Sequence, residues 1–224
     1  MNIVNEKMET FTSSMGTTIV ALKYNGGVLM ACDSTTSAGI FVTQRSAVKA
    51  NNISPSTVNY GPIYVLRCGK AASSQVIMRN VYNYLNFHAM ELGHTGKIDL
   101  QTVGTLFKNM CYPNKEFIES RFIFSNGKEI MSIDRSGALF RGSKIAMHGS
   151  GATHINGFLK YHYKEDAPKE KTRDILIKAL ALAIQVDNSS GGNIQVIDIS
   201  ESGEIKQDLI DHNDIPKVID SQMV

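Results

Sequence analysis

The residues of this chain best suited to chemistry are scattered along it. Gly16-Thr17-Thr18-Ile19 puts two hydroxyls at the seam between a polar, aperiodic leader and the first apolar segment. Threonine forms strands well, so the tetrapeptide alone reads best as a plain strand start. A hydroxyl also becomes a nucleophile once a base takes its proton. Four further sites change the weight: Asp33 in A-C-D-S, Lys49 in Q-R-S-A-V-K, Gly69 in R-C-G-K-A-A, and Asp187 to Gly192 in D-N-S-S-G-G. A lone Asp or Lys is usually a solvated surface charge. Asp33 and Lys49 instead lie among apolar or small residues, where an unpaired charge would be costly. The D-N-S-S-G-G run also reads as a turn that ends a helix, and it can serve both purposes.

Other chemistries find little support. The sequence has no phosphate-binding G-x-x-x-x-G-K-[ST], no H-E-x-x-H, no G-x-S-x-G and no EF-hand pattern. Gly149-Ser150-Gly151 begins like a dinucleotide fingerprint, but His154 stands where its third glycine belongs. His154 and His162 fall two turns apart on one expected helix, too far to share a metal without a third ligand. Cys32 and Cys68 sit in apolar strands and read as small core residues. With Cys111 they are three cysteines at wide spacing, which form no disulfide framework and suit a reducing interior. No cofactor and no metal are expected.

The elements that must position these residues follow from patterning. A length of 224 residues suits one domain with a sizeable core, and 42% hydrophobic with 20% charged residues is ordinary globular usage. A net charge of +2 argues against a nucleic-acid or membrane-surface partner. No stretch is long and apolar enough to span a bilayer, and the first 16 residues lack the apolar core of a secretory signal. TTIVALKY, the Asn25-Gly26-Gly27 turn and VLMACDS predict a hairpin that begins at Thr17. Residues 34–50 read as strand or loop, and 51–62, dense in Asn, Ser, Pro and Gly, as a surface loop. IYVLRCG is a strand. Residues 71–92 form a long helix that Ser73 or Ser74 could cap, and 99–112 a second, capped by Asp99, with Val103, Leu106, Phe107 and Met110 on one face. RFIFS and EIMSID pair across Asn126-Gly127, and the strand pattern continues at 139–140 and 144–148. Helices run from the 149–151 glycine turn to Tyr163 and over 172–186, the latter apolar on most sides and so expected between layers. IQVIDIS and EIKQDLI close the chain as strands. Blocks of strands and helices with hairpin connections imply an α+β domain with antiparallel sheets.

With these residues in view, the sequence resembles the catalytic beta subunits of the eukaryotic proteasome core particle, the caspase-like kind above all. The likeness covers nearly everything after Gly16 and is carried by GTTIVALKYNGGVLMACDS, RCGKAASSQ, YLNFHAMELG, LFKNMCY, HGSGATHINGF, LALAIQVDNSSGG and ESGEI…IPK in order. The resemblance implies an N-terminal nucleophile hydrolase with a four-layer αββα sandwich, two antiparallel sheets flanked by helices. Residues 1–16 become a pro-segment removed by self-cleavage at Gly16–Thr17, and 17–224 a single domain.

The roles of individual residues follow from the same resemblance. Thr17 is the nucleophile, and its freed α-amine, with an ordinary pKa of about 7.7–8.0, is the base. Lys49 stands beside it as a cation, Asp33 pairs with Lys49, and the Gly69 N–H stabilises the oxyanion. Ser150, Asp187 and Ser190 support the amine. Arg67 floors the pocket for the residue before the cut and favours Glu or Asp there, since a guanidinium pairs bidentately with a carboxylate. Thr36, Ser37 and Ala71 line the substrate groove. The implied partners are the other beta subunits of a seven-membered ring, an alpha ring, an opposite beta ring and unfolded polypeptides; neighbours complete the pockets, so the isolated chain is expected to be inactive. The implied setting is ubiquitin-dependent degradation in cytoplasm and nucleus. Thr35 and Val48 replace the Arg and Asp common in the family, residues 51–62 form a longer loop than usual, and residues 125–129 a shorter one. A non-catalytic subunit of the same ring and a bacterial-type peptidase ring are the alternatives.

Overall fold

A computed structural model of the chain describes residues 16–38, 41–55, 61–93 and 98–219. The expected pro-segment, apart from Gly16, lies outside the described residues. Strands β1 (Thr18–Tyr24) and β2 (Gly27–Asp33) form the expected hairpin, turning at Gly26 with φ 108°. Their side chains alternate between two cores, as the two-residue period of a strand requires. Ile19, Ala21, Val28, Met30 and Cys32 enter one cluster, and Val20, Leu22, Leu29 and Ala31 enter another on the opposite face. Both faces are buried, which is why these strands read as nearly continuous apolar runs.

Strands β3 (Thr36–Ala38) and β4 (Phe41–Gln44) make a two-stranded ribbon beside the main sheets. β5 (Ala50–Asn52), β6 (Tyr64–Gly69), β7 (Ser120–Ser125), β8 (Ile130–Ile133) and β9 (Leu139–Arg141) form one five-stranded sheet in that order. β10 (Ile145–Gly149), β11 (Ile194–Ser200) and β12 (Ile205–Ile210) join the hairpin in the other, ordered β10-β1-β2-β11-β12. Every pairing is antiparallel. Helices α1 (Ala71–Leu92) and α2 (Leu100–Cys111) cover the β5–β9 sheet, and α3 (Ala152–His162) and α4 (Lys169–Val186) cover the other. The result is the αββα sandwich.

Three apolar clusters fill the spaces between the four layers. Between α1, α2 and their sheet, Phe107 packs on Phe122 and Phe124, with ring centroids 4.9 and 5.2 Å apart. α2 starts where Asp99 accepts the Thr102 N–H at 2.6 Å, and its buried face is Leu100, Val103, Gly104, Phe107 and Cys111, with Leu106 and Met110 only partly buried.

Three local expectations are corrected. Neither Ser73 nor Ser74 caps α1: its first helical residue is Ala71, and the two hydroxyls turn back to the Lys70 and Ala71 carbonyls. The expected 51–62 loop begins inside the sheet, because Ala50–Asn52 pairs with Tyr64–Leu66 and the next residue, Ile53, is buried in the core; residues 56–60 lie outside the described residues. α4 starts at Lys169 and is an outer layer: Ile175, Leu176, Ala179, Leu180 and Ala183 face the sheet while Asp174 and Lys178 pair in solvent at 2.7 Å. Among the described residues, no helix is long and apolar enough to cross a membrane.

Candidate active site

One end of the sandwich gathers the scattered residues. Thr17 immediately precedes β1, Asp33 ends β2, Lys49 precedes β5, Gly69 ends β6, Ser150 follows β10, and Asp187 and Ser190 lie between α4 and β11. The two sheets are joined there by a buried ion pair: Lys49 is 3% exposed, Asp33 0%, and Lys49 Nζ donates to Asp33 Oδ1 at 2.8 Å. The ammonium has three N–H bonds and three acceptors. The other two are Thr17 Oγ1 at 3.0 Å and the Thr35 carbonyl at 2.6 Å.

Asp33 is equally committed. Its carboxylate also accepts the backbone N–H groups of Thr18, Thr35 and Gly191, at 2.9, 3.3 and 3.0 Å. Burial pushes this carboxyl up, while Lys49 and the amide donors favour its charged form. Four donors approach it, and a protonated acid would set a fifth hydrogen against them, so the ion pair is the form that satisfies the geometry.

Thr17 is held from both sides. Its N–H donates to Ser150 Oγ at 3.3 Å, and its carbonyl accepts the Ser150 N–H at 3.0 Å. Ser150 Oγ donates in turn to Asp187 Oδ2 at 2.6 Å, as does Ser190 Oγ at 2.6 Å. Thr18 Oγ1 lies 2.8 Å from Ser190 Oγ and completes the chain of hydroxyls. The Thr17 hydroxyl accepts from Lys49 and directs its own proton to the Gly16 carbonyl at 2.5 Å. Gly16 is pressed against the turn after α4: a Cβ there would lie 1.8 Å from Ser189 Cβ.

Gly69 is a glycine by necessity, with φ +92° and only 1.9 Å between an added Cβ and the Glu119 carbonyl. It lines a cavity of about 60 Å³ together with Thr17, Thr36, Ser37, Lys49 and Ala71. Arg67 lines this cavity and also an adjoining one of about 550 Å³. Leu66 and Cys68 face the space between the sheets, so Arg67, like Val65, leaves β6 on the α1 side. Its guanidinium donates to Ser74 Oγ at 3.2 Å and to the Val48 carbonyl at 2.8 Å. Burial pulls the Arg67 pKa down, and among the described residues it meets no carboxylate.

The residues given roles at the site from the sequence therefore meet there. Thr35, Val48, Ser74 and Thr18 join them in roles the sequence did not assign. The first two act through backbone carbonyls, which side-chain type does not betray. The Thr17-Thr18 repeat was the available signal for the last. The remaining candidates stay apart: His154 and His162 are exposed on α3, and Cys32 and Cys68 are buried free thiols. Among the described residues, no group of His, Cys, Asp and Glu could hold a metal ion.

Comparisons with known proteins agree with this fold. A family profile described as "Proteasome subunit" matches residues 13–199. The chain is 31% identical over 208 residues to the probable proteasome subunit beta type-1 of Schizosaccharomyces pombe, covering 91% of this chain and 88% of that one. It is 31% identical over 195 residues to proteasome subunit beta type-6 of Arabidopsis thaliana, covering 85% and 80%. It is 30% identical over 222 residues to proteasome subunit beta type-9 of Oryzias latipes, covering 97% and 95%. With a matching profile across most of its length and relatives matched nearly end to end, the chain belongs to the proteasome beta-subunit family of N-terminal nucleophile hydrolases.

Proposed function

We propose that this chain is a threonine endopeptidase subunit of the proteasome core particle that cuts peptide bonds after acidic residues. The observation that carries the reading is Lys49 Nζ, 3.0 Å from Thr17 Oγ1 while paired with Asp33 at 2.8 Å. It puts a fixed buried cation on a hydroxyl at the head of a strand.

The chemistry begins with the chain's own peptide bond. Thr17 Oγ attacks the Gly16 carbonyl carbon, its proton passes to the Thr17 nitrogen as the C–N bond breaks, and the acyl group moves from nitrogen to oxygen as an ester. Water hydrolyses that ester and releases residues 1–16 with a free carboxylate. Thr17 is left with an α-amine, and only then does a base exist beside the hydroxyl. In turnover the amine takes the Oγ proton and Oγ adds to the substrate carbonyl. The Gly69 N–H meets the resulting oxyanion, a donor whose loss costs about 10²–10³ in rate in comparable sites. The amine returns the proton to the leaving nitrogen, and water then cleaves the acyl-enzyme. Lys49 disfavours protonation of the neighbouring amine and stabilises negative charge on Oγ. The Ser150 and Ser190 hydroxyls, both donating to the Asp187 carboxylate, orient the amine.

Acidic preference rests on Arg67, a half-buried guanidinium beside Thr17 that has no carboxylate partner among the described residues. Thr36, Ser37 and Ala71 bound the groove. Other beta subunits in a seven-membered ring, an alpha ring and a second beta ring complete the enclosure, in cytoplasm and nucleus, and the substrates are unfolded polypeptides. The test is an assay of the assembled particle with peptides differing only in the residue before the cut, together with the mass of the incorporated chain. Cleavage after Glu and Asp, lost in Arg67→Gly, with the first 16 residues removed, is expected. Preference for Leu or Lys, or activity through this subunit with its leader intact, overturns it.

A further inference from the structure

Arg67 is not alone in its cavity. The 550 Å³ space adjoining the small cavity at Thr17 is of the size that takes a substantial ligand, and among the described residues its charged lining is two arginines, Arg67 and Arg79. Among the described residues neither arginine has an ion-pair partner. We infer that Arg79 reads a second negative charge on the acyl side of the substrate, beyond the one that Arg67 reads; this rests on the acidic-residue peptidase reading above.

The placement follows from α1. Ala71, Gln75 and Arg79 are four residues apart, so they form one stripe on successive turns, and all three line the cavity. Ala71 also lines the small cavity that contains Thr17. At 1.5 Å of rise per residue, Arg79 stands about 12 Å along the helix from Ala71 and about 6 Å beyond Gln75. The opposite wall is Asn51, Asn52 and Ile53, contributed by β5 and the start of the long 51–62 segment. Arg67 borders both cavities, while Arg79 lines only the larger one. Met78 and Tyr82 give the larger cavity an apolar and aromatic lining, and Arg79 gives it a cation.

The chemistry recognised is an anionic oxygen cluster facing a guanidinium. Its source is a carboxylate two residues upstream of the cut, on the same face of an extended substrate and about 7 Å away.

The experiment uses the assembled particle and four peptides. Two have Glu before the cut and either Ala or Asp two residues upstream, and two have Leu before the cut with the same choice upstream. An exposed guanidinium predicts a gain of about threefold in kcat/KM for Asp over Ala upstream of Glu, and Arg79→Gln should bring that ratio to one. A ratio of one with the Glu-over-Leu preference intact overturns this inference alone. A particle without the Glu preference overturns both readings, because neither arginine would then line an acid-selective pocket. Should Arg79→Gln fail to assemble, the wild-type ratio is measured against salt. It should shrink as ionic strength rises, and a ratio indifferent to salt overturns the inference.

Discussion

Replacing Lys49 by Met separates what the buried ion pair does for the fold from what it does for the hydroxyl. The substitution keeps most of the side-chain volume and removes one cation with three hydrogen bonds, to Thr17, Asp33 and Thr35. Asp33 is then a carboxylate with no exposure and no counter-charge. Breaking a buried pair from one side costs about 3–5 kcal/mol, mostly the penalty of the stranded charge. Removing both charges, in Asp33→Asn with Lys49→Met, strands nothing and should cost clearly less. Activity should not follow stability. Both variants lack the cation at Thr17 Oγ1, and each should lose about 10²-fold or more in cleavage after Glu. Urea unfolding of the single and double variants reads the first effect, and mass analysis of leader removal with peptide hydrolysis in the assembled particle reads the second. If Lys49→Met unfolds at the wild-type urea concentration, the account of the pair is wrong. If it still sheds its leader and cleaves within tenfold of wild type, the cation is not what activates Thr17.

Two further outcomes test the surroundings of the site. Gly69→Ala forces a side chain into a left-handed conformation and against the Glu119 carbonyl, so the β6 end must shift. Cleavage should fall by at least about 10²-fold, the loss expected for a displaced oxyanion donor, and an alanine variant with normal kcat would remove Gly69 from the mechanism. His148, in β10 and opposite Ile19, has its pKa pushed down to about 4 by burial first and by Arg121 second. The unfolded chain takes up this proton near pH 6.5, the folded one only near 4. Stability from the neutral histidine is therefore complete above pH 6.5 and drains away as pH falls towards 4, by on the order of 3 kcal/mol at most. Urea unfolding of wild type and His148→Gln between pH 7 and 4 checks this, since only the wild type should show that share of the slope.

Much of the architecture was legible in residue order. Apolar runs rich in β-branched residues on either side of Asn25-Gly26-Gly27 marked β1 and β2, Asn126-Gly127 marked a hairpin, and Asp99 marked the start of α2. Each is a local signal, set by β-branched strand preference, by backbone freedom at glycine, or by a side chain reaching its own helix. The ends of α1 and β5 were less legible. Ser73 and Ser74 have the right chemistry for a cap, but the chain enters α1 directly from the Lys70 N–H bond to the Glu119 carbonyl. The Asn-rich segment after Lys49 is turn-like by composition, yet its first residues pair with β6 at the sheet edge. A tertiary partner outweighed propensity in both places.

The sequence by itself determined the parts: a strand headed by Thr17, charges at Asp33 and Lys49 in settings that forbid solvation, a glycine after Arg67-Cys68, and the apolar runs of the first hairpin. The tertiary structure alone decided that these parts meet. Thr17 and Lys49 are separated by thirty-two positions, and Ser150 and Asp187 by thirty-seven. Only the stacking of two sheets, driven by three apolar clusters, sets them within hydrogen-bond reach. The acceptors that complete the Lys49 ammonium and orient Arg67 include the carbonyls of Thr35 and Val48, groups that every residue carries, so their selection belongs to the path of the folded backbone.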